Sequence, residues 1–121
     1  MKQPQPRATG QAYEAHACQY LMRHGLIVLD KNAHSRRGEI DLVMRDGRCL
    51  VFVEVRFRRG HGFGGAAASI TNAKQRRLVL AAERWMQCRG IKSMQTEFRF
   101  DAVTFDGSVE AVNWIQNIVQ G

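Results

Sequence analysis

Four charged residues between Gly38 and Arg56 are spaced for chemistry. GEIDLVMRDGRCLVFVEVR reads as two β-strands around Asp46-Gly47, since apolar residues fill both runs and an Asp-Gly pair between β-formers marks a hairpin. With a two-residue turn, Arg45 faces Arg48, Val43 faces Leu50, Asp41 faces Phe52 and Glu39 faces Glu54. Side chains alternate along a strand, so Glu39, Asp41, Val43, Leu50, Phe52, Glu54 and Arg56 share one face. Three carboxylates and a guanidinium then gather at one end of an otherwise apolar face. Like charges set opposite each other weaken a hairpin. An oxygen-seeking divalent cation, Mg²⁺ or Mn²⁺, would reverse that penalty. Charged strand residues usually pair with arginines on a solvated face, but these strands are too apolar on both faces for that, which favours the metal.

The remaining elements must position this hairpin. Residues 1–9 read as a flexible lead broken by Pro4 and Pro6, and 10–121 as a single domain. Thr9 can cap a helix from about Gly10 to His24, ended by Gly25. Its buried stripe is Tyr13, Ala17, Tyr20, Leu21 and His24, and Glu14 lies on an adjoining row with Cys18. LIVLDKN, residues 26–32, reads as a strand, and AHSRRG as a loop that puts Arg36 and Arg37 where phosphates can be met. Residues 58–69, RRGHGFGGAAAS, form a glycine-rich loop beside the hairpin in which His61 and Phe63 could touch a base or sugar; a plain connector is the equal alternative. Thr71 caps a helix to about Cys88, with Lys74, Leu78, Ala81, Ala82 and Trp85 on one face, Gln75, Val79 and Met86 adjoining, and Arg76 and Arg77 turned outward. Cations in a first turn oppose the helix dipole, so Lys74, Gln75, Arg76 and Arg77 point to phosphate contact rather than stability. Strand 96–105 carries Asp101, whose carboxylate needs Arg99 or a backbone amide. Asp106-Gly107 turns into a last strand, SVEAVNWI, and Trp114, Ile115, Ile118 and Val119 dock the C-terminal segment. The order α-β-β-β-α-β-β is an α/β fold, a mixed sheet flanked by helices.

Composition narrows the partners. The chain has 121 residues and net charge +7. Residues 31–77 hold eleven Lys and Arg against four acids, so the whole excess surrounds the hairpin. A polyanion suits such a field, and Arg58 and Arg59 join Arg36, Arg37, Gln75, Arg76 and Arg77 as candidate contacts to DNA. Cys18, Cys49 and Cys88 are odd in number and form no CxxC pair, which suggests neither a disulfide framework nor a zinc site. With no apolar leader and no membrane-spanning run, the reading is a cytoplasmic protein without a membrane partner. The glycine spacing matches no nucleotide-binding fingerprint, so no small-molecule cofactor is expected.

Asp41, followed on the next strand by Glu54-Val55-Arg56, resembles the D…(D/E)xK signature of the restriction-endonuclease-like nuclease superfamily. GQAYEAHACQYL, GEIDLVMRDG, VFVEVRFR, GGAAASITNAKQRR and FRFDAV together resemble the YraN family of small bacterial proteins, which are similar to archaeal Holliday-junction resolvases. The resemblance implies a restriction-endonuclease-like core and a metal-dependent endonuclease acting on branched or structured DNA. It implies Asp41 and Glu54 as metal ligands, the Val55 carbonyl as a further one, and Glu14 as the first-helix glutamate that joins the cluster. It also implies a polar Gln or Lys on the second long helix pointing into the site, and a homodimer, as in resolvase-like relatives. The superfamily lysine is Arg56 here. Arginine cannot act as a base, so Lys74 is the candidate replacement. Two other function classes stand beside this one: a nucleic-acid-binding module whose catalysis has decayed, and a protein-interaction subunit that keeps the fold.

Overall fold

The computed structural model of the chain describes residues 6–35, 38–59 and 65–119. Arg36, Arg37, His61, Phe63 and the glycines at 60, 62 and 64 lie outside the described residues, as do the first five residues of the 1–9 lead. The elements are α1 (Pro6–Arg23), β1 (Ile27–Ser35), β2 (Gly38–Asp46), β3 (Cys49–Arg58), α2 (Asn72–Cys88), β4 (Phe98–Asp106) and β5 (Val112–Ile115). Short 3-10 turns lie at Ala67–Ser69 and Ser93–Gln95. Among the described residues no helix is long and apolar enough to cross a membrane.

The expected order and the mixed sheet are both present. The five strands lie side by side in the order β1-β2-β3-β4-β5. Only β3 and β4 run parallel, and α2 makes the crossover between them. One apolar layer joins α1 to the sheet through Ala17, Cys18, Leu21, Leu42, Met44, Val51, Val53 and Phe105. The other joins α2 through Val43, Leu50, Phe52, Leu78, Ala82, Trp85 and Phe100. Both faces of the hairpin are therefore buried, as its two-sided apolar pattern requires. Thr71 caps α2 as expected, its hydroxyl accepting from the Lys74 amide at 3.3 Å.

The structure differs from the sequence reading in four places. Strand β1 runs on to Ser35, so Ala33, His34 and Ser35 of the expected AHSRRG loop pair with β2. Helix α1 begins at Pro6 rather than near Gly10; in a first turn proline has no intrahelical hydrogen bond to lose. The last strand is only Val112–Ile115, and residues 108–111 are turn. The hairpin register moves by two residues, so Asp46 pairs with Cys49, Arg45 with Leu50 and Val43 with Phe52. The turn residues are Gly47 and Arg48, with Gly47 at φ +60°. Glycine at the first loop position with positive φ is the signature of a type II′ turn, whereas Asp-Gly occupies both positions of a type I′ turn. A shift of two preserves side-chain parity, so Val43, Leu50 and Phe52 keep their common face. It carries Asp41 away from Phe52 and toward Glu54.

Helix α2 seats the start of β2 closely. A Cβ at Gly38 would stand 2.5 Å from the Arg77 carbonyl oxygen, which is backbone and cannot swing aside. Gly38→Ala must push β2 away from α2 and should destabilise the fold by about 1–3 kcal/mol. Urea unfolding of the two proteins checks this, and an unchanged midpoint would mean that the close seating has no consequence.

Candidate functional site

Strands β2 and β3 part at one point. Their pairing ends at Leu42–Val53. Beyond it Ile40 packs on the α2 side with Val43, whereas Leu42 and Met44 pack on the α1 side. Side-chain alternation thus slips once, at Asp41. The Val55 amide, without a carbonyl opposite, donates to Asp41 Oδ2 at 2.8 Å. Glu54 projects beside it with 14% of its side chain exposed. Burial, then the nearby Glu14 and Glu39, push Asp41 up to about 7 against the opposing pull of the Val55 amide. Burial and Asp41 push Glu54 up to about 7 as well, although Arg56 and Lys74 counter them.

Glu14 arrives from α1. Its carboxyl hydrogen-bonds Asp41 and the Asn32 side chain, and burial raises its pKa above the ordinary value. Glu14 in turn adds its charge to the burial that raises Asp41. Asn32 was not singled out from the sequence. Strand β1 bulges between Val28 and Asp30, and Asn32 follows at φ +52°. Asparagine tolerates that conformation better than most residues. An Asn inside a run otherwise patterned as a strand was the available signal.

The cations line the α2 side. Arg56 Nη1 lies 3.4 Å from Glu54, and its Nε donates to Ser69 Oγ at 3.0 Å. Ser69 is a second residue that the sequence did not flag. Lys74 is half-buried, and burial first, then Arg56, lower its pKa while Glu54 opposes them. Gln75 is also half-buried and donates to the Ile70 carbonyl at 3.4 Å, toward the preceding loop. Arg58, Arg59, Arg76 and Arg77 are exposed around this end of the sheet. The structure thus brings together Glu14, Asp41, Glu54, Val55, Arg56 and Lys74.

Glu39 lies at the exposed rim, near enough to add to the rise of Glu14, Asp41 and Glu54. It is exposed and pairs with His34, its cross-strand neighbour, at 3.4 Å. Asp101 is a structural group: Arg99 Nε donates to both its oxygens at 3.1 Å, Trp114 Nε1 donates at 2.9 Å and the Asn117 amide at 3.1 Å. An open cavity lies along the later turns of α2, between Leu80, Ile91 and Met94, and includes none of the site acids. Among the described residues no three His, Cys, Asp or Glu side chains converge at metal-ligating spacing. The donor set that the geometry offers is the Asp41–Glu54 pair, with the Val55 carbonyl and Glu14 next to it.

Comparison with known proteins gives relatives without an assigned activity. The pattern of the uncharacterised protein family UPF0102, the YraN family, matches residues 13–105. A UPF0102 protein of Photobacterium profundum is 45% identical over 116 residues, 95% of this chain and 93% of that protein. One from Alkalilimnicola ehrlichii is 51% identical over 109 residues, 90% of this chain and 84% of that protein. One from Yersinia pseudotuberculosis serotype O:1b is 51% identical over 111 residues, 92% and 93% of the two chains. The matched span contains every acid of the site.

The raised carboxyls have a consequence for stability. Asp41 and Glu54 rise from 3.8 and 4.5 to about 7 on folding, so between those limits the folded protein holds protons that the unfolded chain has released. Their contribution is therefore fully present at low pH and is lost as pH rises toward 7 and above. In metal-free buffer at pH 8, Asp41→Asn and Glu54→Gln should each be more stable than wild type by about 1–3 kcal/mol. The difference should vanish below pH 4. Chemical unfolding across that range tests it; variants less stable than wild type at pH 8 would contradict the burial argument.

Proposed function

Because the chain belongs to the uncharacterised protein family UPF0102, whose name assigns no activity, we propose its function from its own site: a nucleic-acid-binding, metal-dependent DNA endonuclease-like protein that acts on branched or structured DNA. One observation carries the reading. Two largely buried carboxylates from neighbouring strands are driven to about 7, Asp41 by burial and by Glu14 and Glu39, Glu54 by burial and by Asp41, and Arg56 and Lys74 stand against Glu54. The donor set is all oxygen, which suits Mg²⁺ or Mn²⁺ and not a thiolate- or imidazole-seeking metal. Asp41 and Glu54 would hold the ion, with the Val55 carbonyl and Glu14 as further donors. When bound there it supplies Lewis acidity toward water and a phosphoryl oxygen.

The chain's own groups do the rest. Lys74, its charged form disfavoured by burial and by Arg56, is suited to accept a proton at Nζ from the attacking water. Arg56 offers guanidinium N–H bonds to the charge that grows on the phosphate. Arg58, Arg59, Arg76 and Arg77 meet backbone phosphates, the role that the sequence reading also gives Arg36 and Arg37. A homodimer and a cytoplasmic setting belong to this reading, the first because resolvase-like relatives work as dimers. The Glu54–Arg56 pair also favours a second reading, a binding module whose catalysis has decayed.

Calorimetric titration with Mn²⁺ should give binding that Asp41→Asn and Glu54→Gln weaken markedly; equal binding in all three proteins would remove the metal. Single-turnover cleavage of a branched DNA should fall about 100-fold or more in Asp41→Asn and in Lys74→Ala, and Arg56→Lys should retain or raise it. Cleavage by Lys74→Ala at the wild-type rate would end the replacement-lysine idea. DNA binding without cleavage by wild type or Arg56→Lys, with either metal, would move the conclusion to the binding module.

Salt dependence tests the surface. Log affinity for duplex DNA should fall linearly with log salt, and the slope should flatten by about 0.9 for each phosphate that is no longer neutralised. The variant with Arg58, Arg59, Arg76 and Arg77 all changed to Ala should show that flattening. An unchanged slope would place the DNA elsewhere.

A further inference from the structure

The Arg56 side chain is held more tightly than a counter-ion requires. Nε donates to Ser69 Oγ at 3.0 Å, and Nη1 reaches Glu54 Oε2 at 3.4 Å. A guanidinium carries its five N–H bonds in one rigid plane, so anchoring two of its nitrogens sets the direction of the third. Ser69 has a single hydroxyl proton, and it is donated to the Ala66 carbonyl at 2.6 Å. The oxygen can then only accept from Arg56. Ala66 is itself fixed, its amide donating to Asp106 Oδ1 at 2.7 Å. Gly65 comes so close that a Cβ there would collide with the same carboxylate. Strand β4 thus holds the loop, the loop holds Ser69, and Ser69 holds Arg56. Among the described residues Nη2 has no hydrogen-bond partner. A lysine at this position would have no Nε branch for Ser69 to grip.

We propose that Ser69 is a positioning residue that turns the open edge of Arg56 toward a phosphodiester of bound nucleic acid, making the Arg56–Ser69 pair the phosphate clamp of the site. The proposal rests on the nucleic-acid reading above and adds to it which arginine contacts the phosphate beside the acids and what aims it. Glu54 and Lys74 lie beside the guanidinium, so the clamp's action is measured by substitution rather than by pH.

The test is a double-mutant cycle on affinity for a fluorescein-labelled DNA duplex, followed by anisotropy at low salt in EDTA. Ser69→Ala should weaken binding about tenfold, the size of one charge-assisted hydrogen bond. In the Arg56→Lys background Ser69→Ala should add almost nothing, because the side chain it aims is gone. Ser69→Thr, which keeps the hydroxyl, should bind like wild type. If Ser69→Ala does not fold, Ser69→Cys takes its place as a poor acceptor of similar size. Wild-type affinity in the Ser69 variant, or the same loss in both backgrounds, overturns the proposal while the nucleic-acid reading stands. Absence of DNA binding by wild type overturns both.

Discussion

A backbone amide in a protein interior must find an acceptor, and leaving it without one costs about 1–3 kcal/mol. Val55 meets that constraint where β2 and β3 separate, and the Asp41 carboxylate stands in for the missing carbonyl. Much of the site follows from this substitution. It seats an acid inside the sheet rather than on its surface. It brings Asp41 beside Glu54, and Glu14 reaches across from α1 toward it. The resulting crowd of carboxyls sets the electrostatic problem that Arg56 and Lys74 partly answer.

The same residue type has a different fate farther along the sheet. Asp101 is wholly buried, yet four donor–acceptor contacts from Arg99, Trp114 and Asn117 occupy both its oxygens. Its charge is matched within the fold, and it fastens the C-terminal segment. Asp41 has the Val55 amide as a donor, with the acids Glu14 and Glu39 close enough to raise its pKa. Both groups obey the rule that buried charge needs partners. Asp101 has found several inside the chain, whereas Asp41 has the Val55 amide and Glu54 the Arg56 guanidinium.

The sequence made the hairpin legible because its information is parity. Val43, Leu50, Phe52 and Glu54 stay on one face whether the turn is Asp46-Gly47 or Gly47-Arg48, so the error in register did not disperse the acids. Helix α2 was legible for the same reason, its buried side repeating at Leu78, Ala81, Ala82 and Trp85. Asn32 and Ser69 were not, because what they do depends on contacts made far along the chain. Asn32 matters through a bulge that brings it to Glu14, and Ser69 through a turn that brings it to Arg56. The exposure of Glu39 was not legible for a related reason: alternation counts faces, and it cannot foresee where two strands part and let a side chain out to solvent.

The single parallel pairing sets the order in which this molecule can assemble. The β2–β3 hairpin closes over two residues, a local event of microseconds. Strand β4 must pair with β3 across the whole of α2, setting Leu50 against Phe98 and Arg58 against Asp106. Such long-range closure is slow, since the chain entropy is lost before the contacts form. Asp106 belongs to the late strand, and through Ala66 and Ser69 it is what steadies Arg56. A nascent hairpin therefore carries its acids before its arginine is secured, and the charged end of the sheet becomes rigid only when the last long connection has closed.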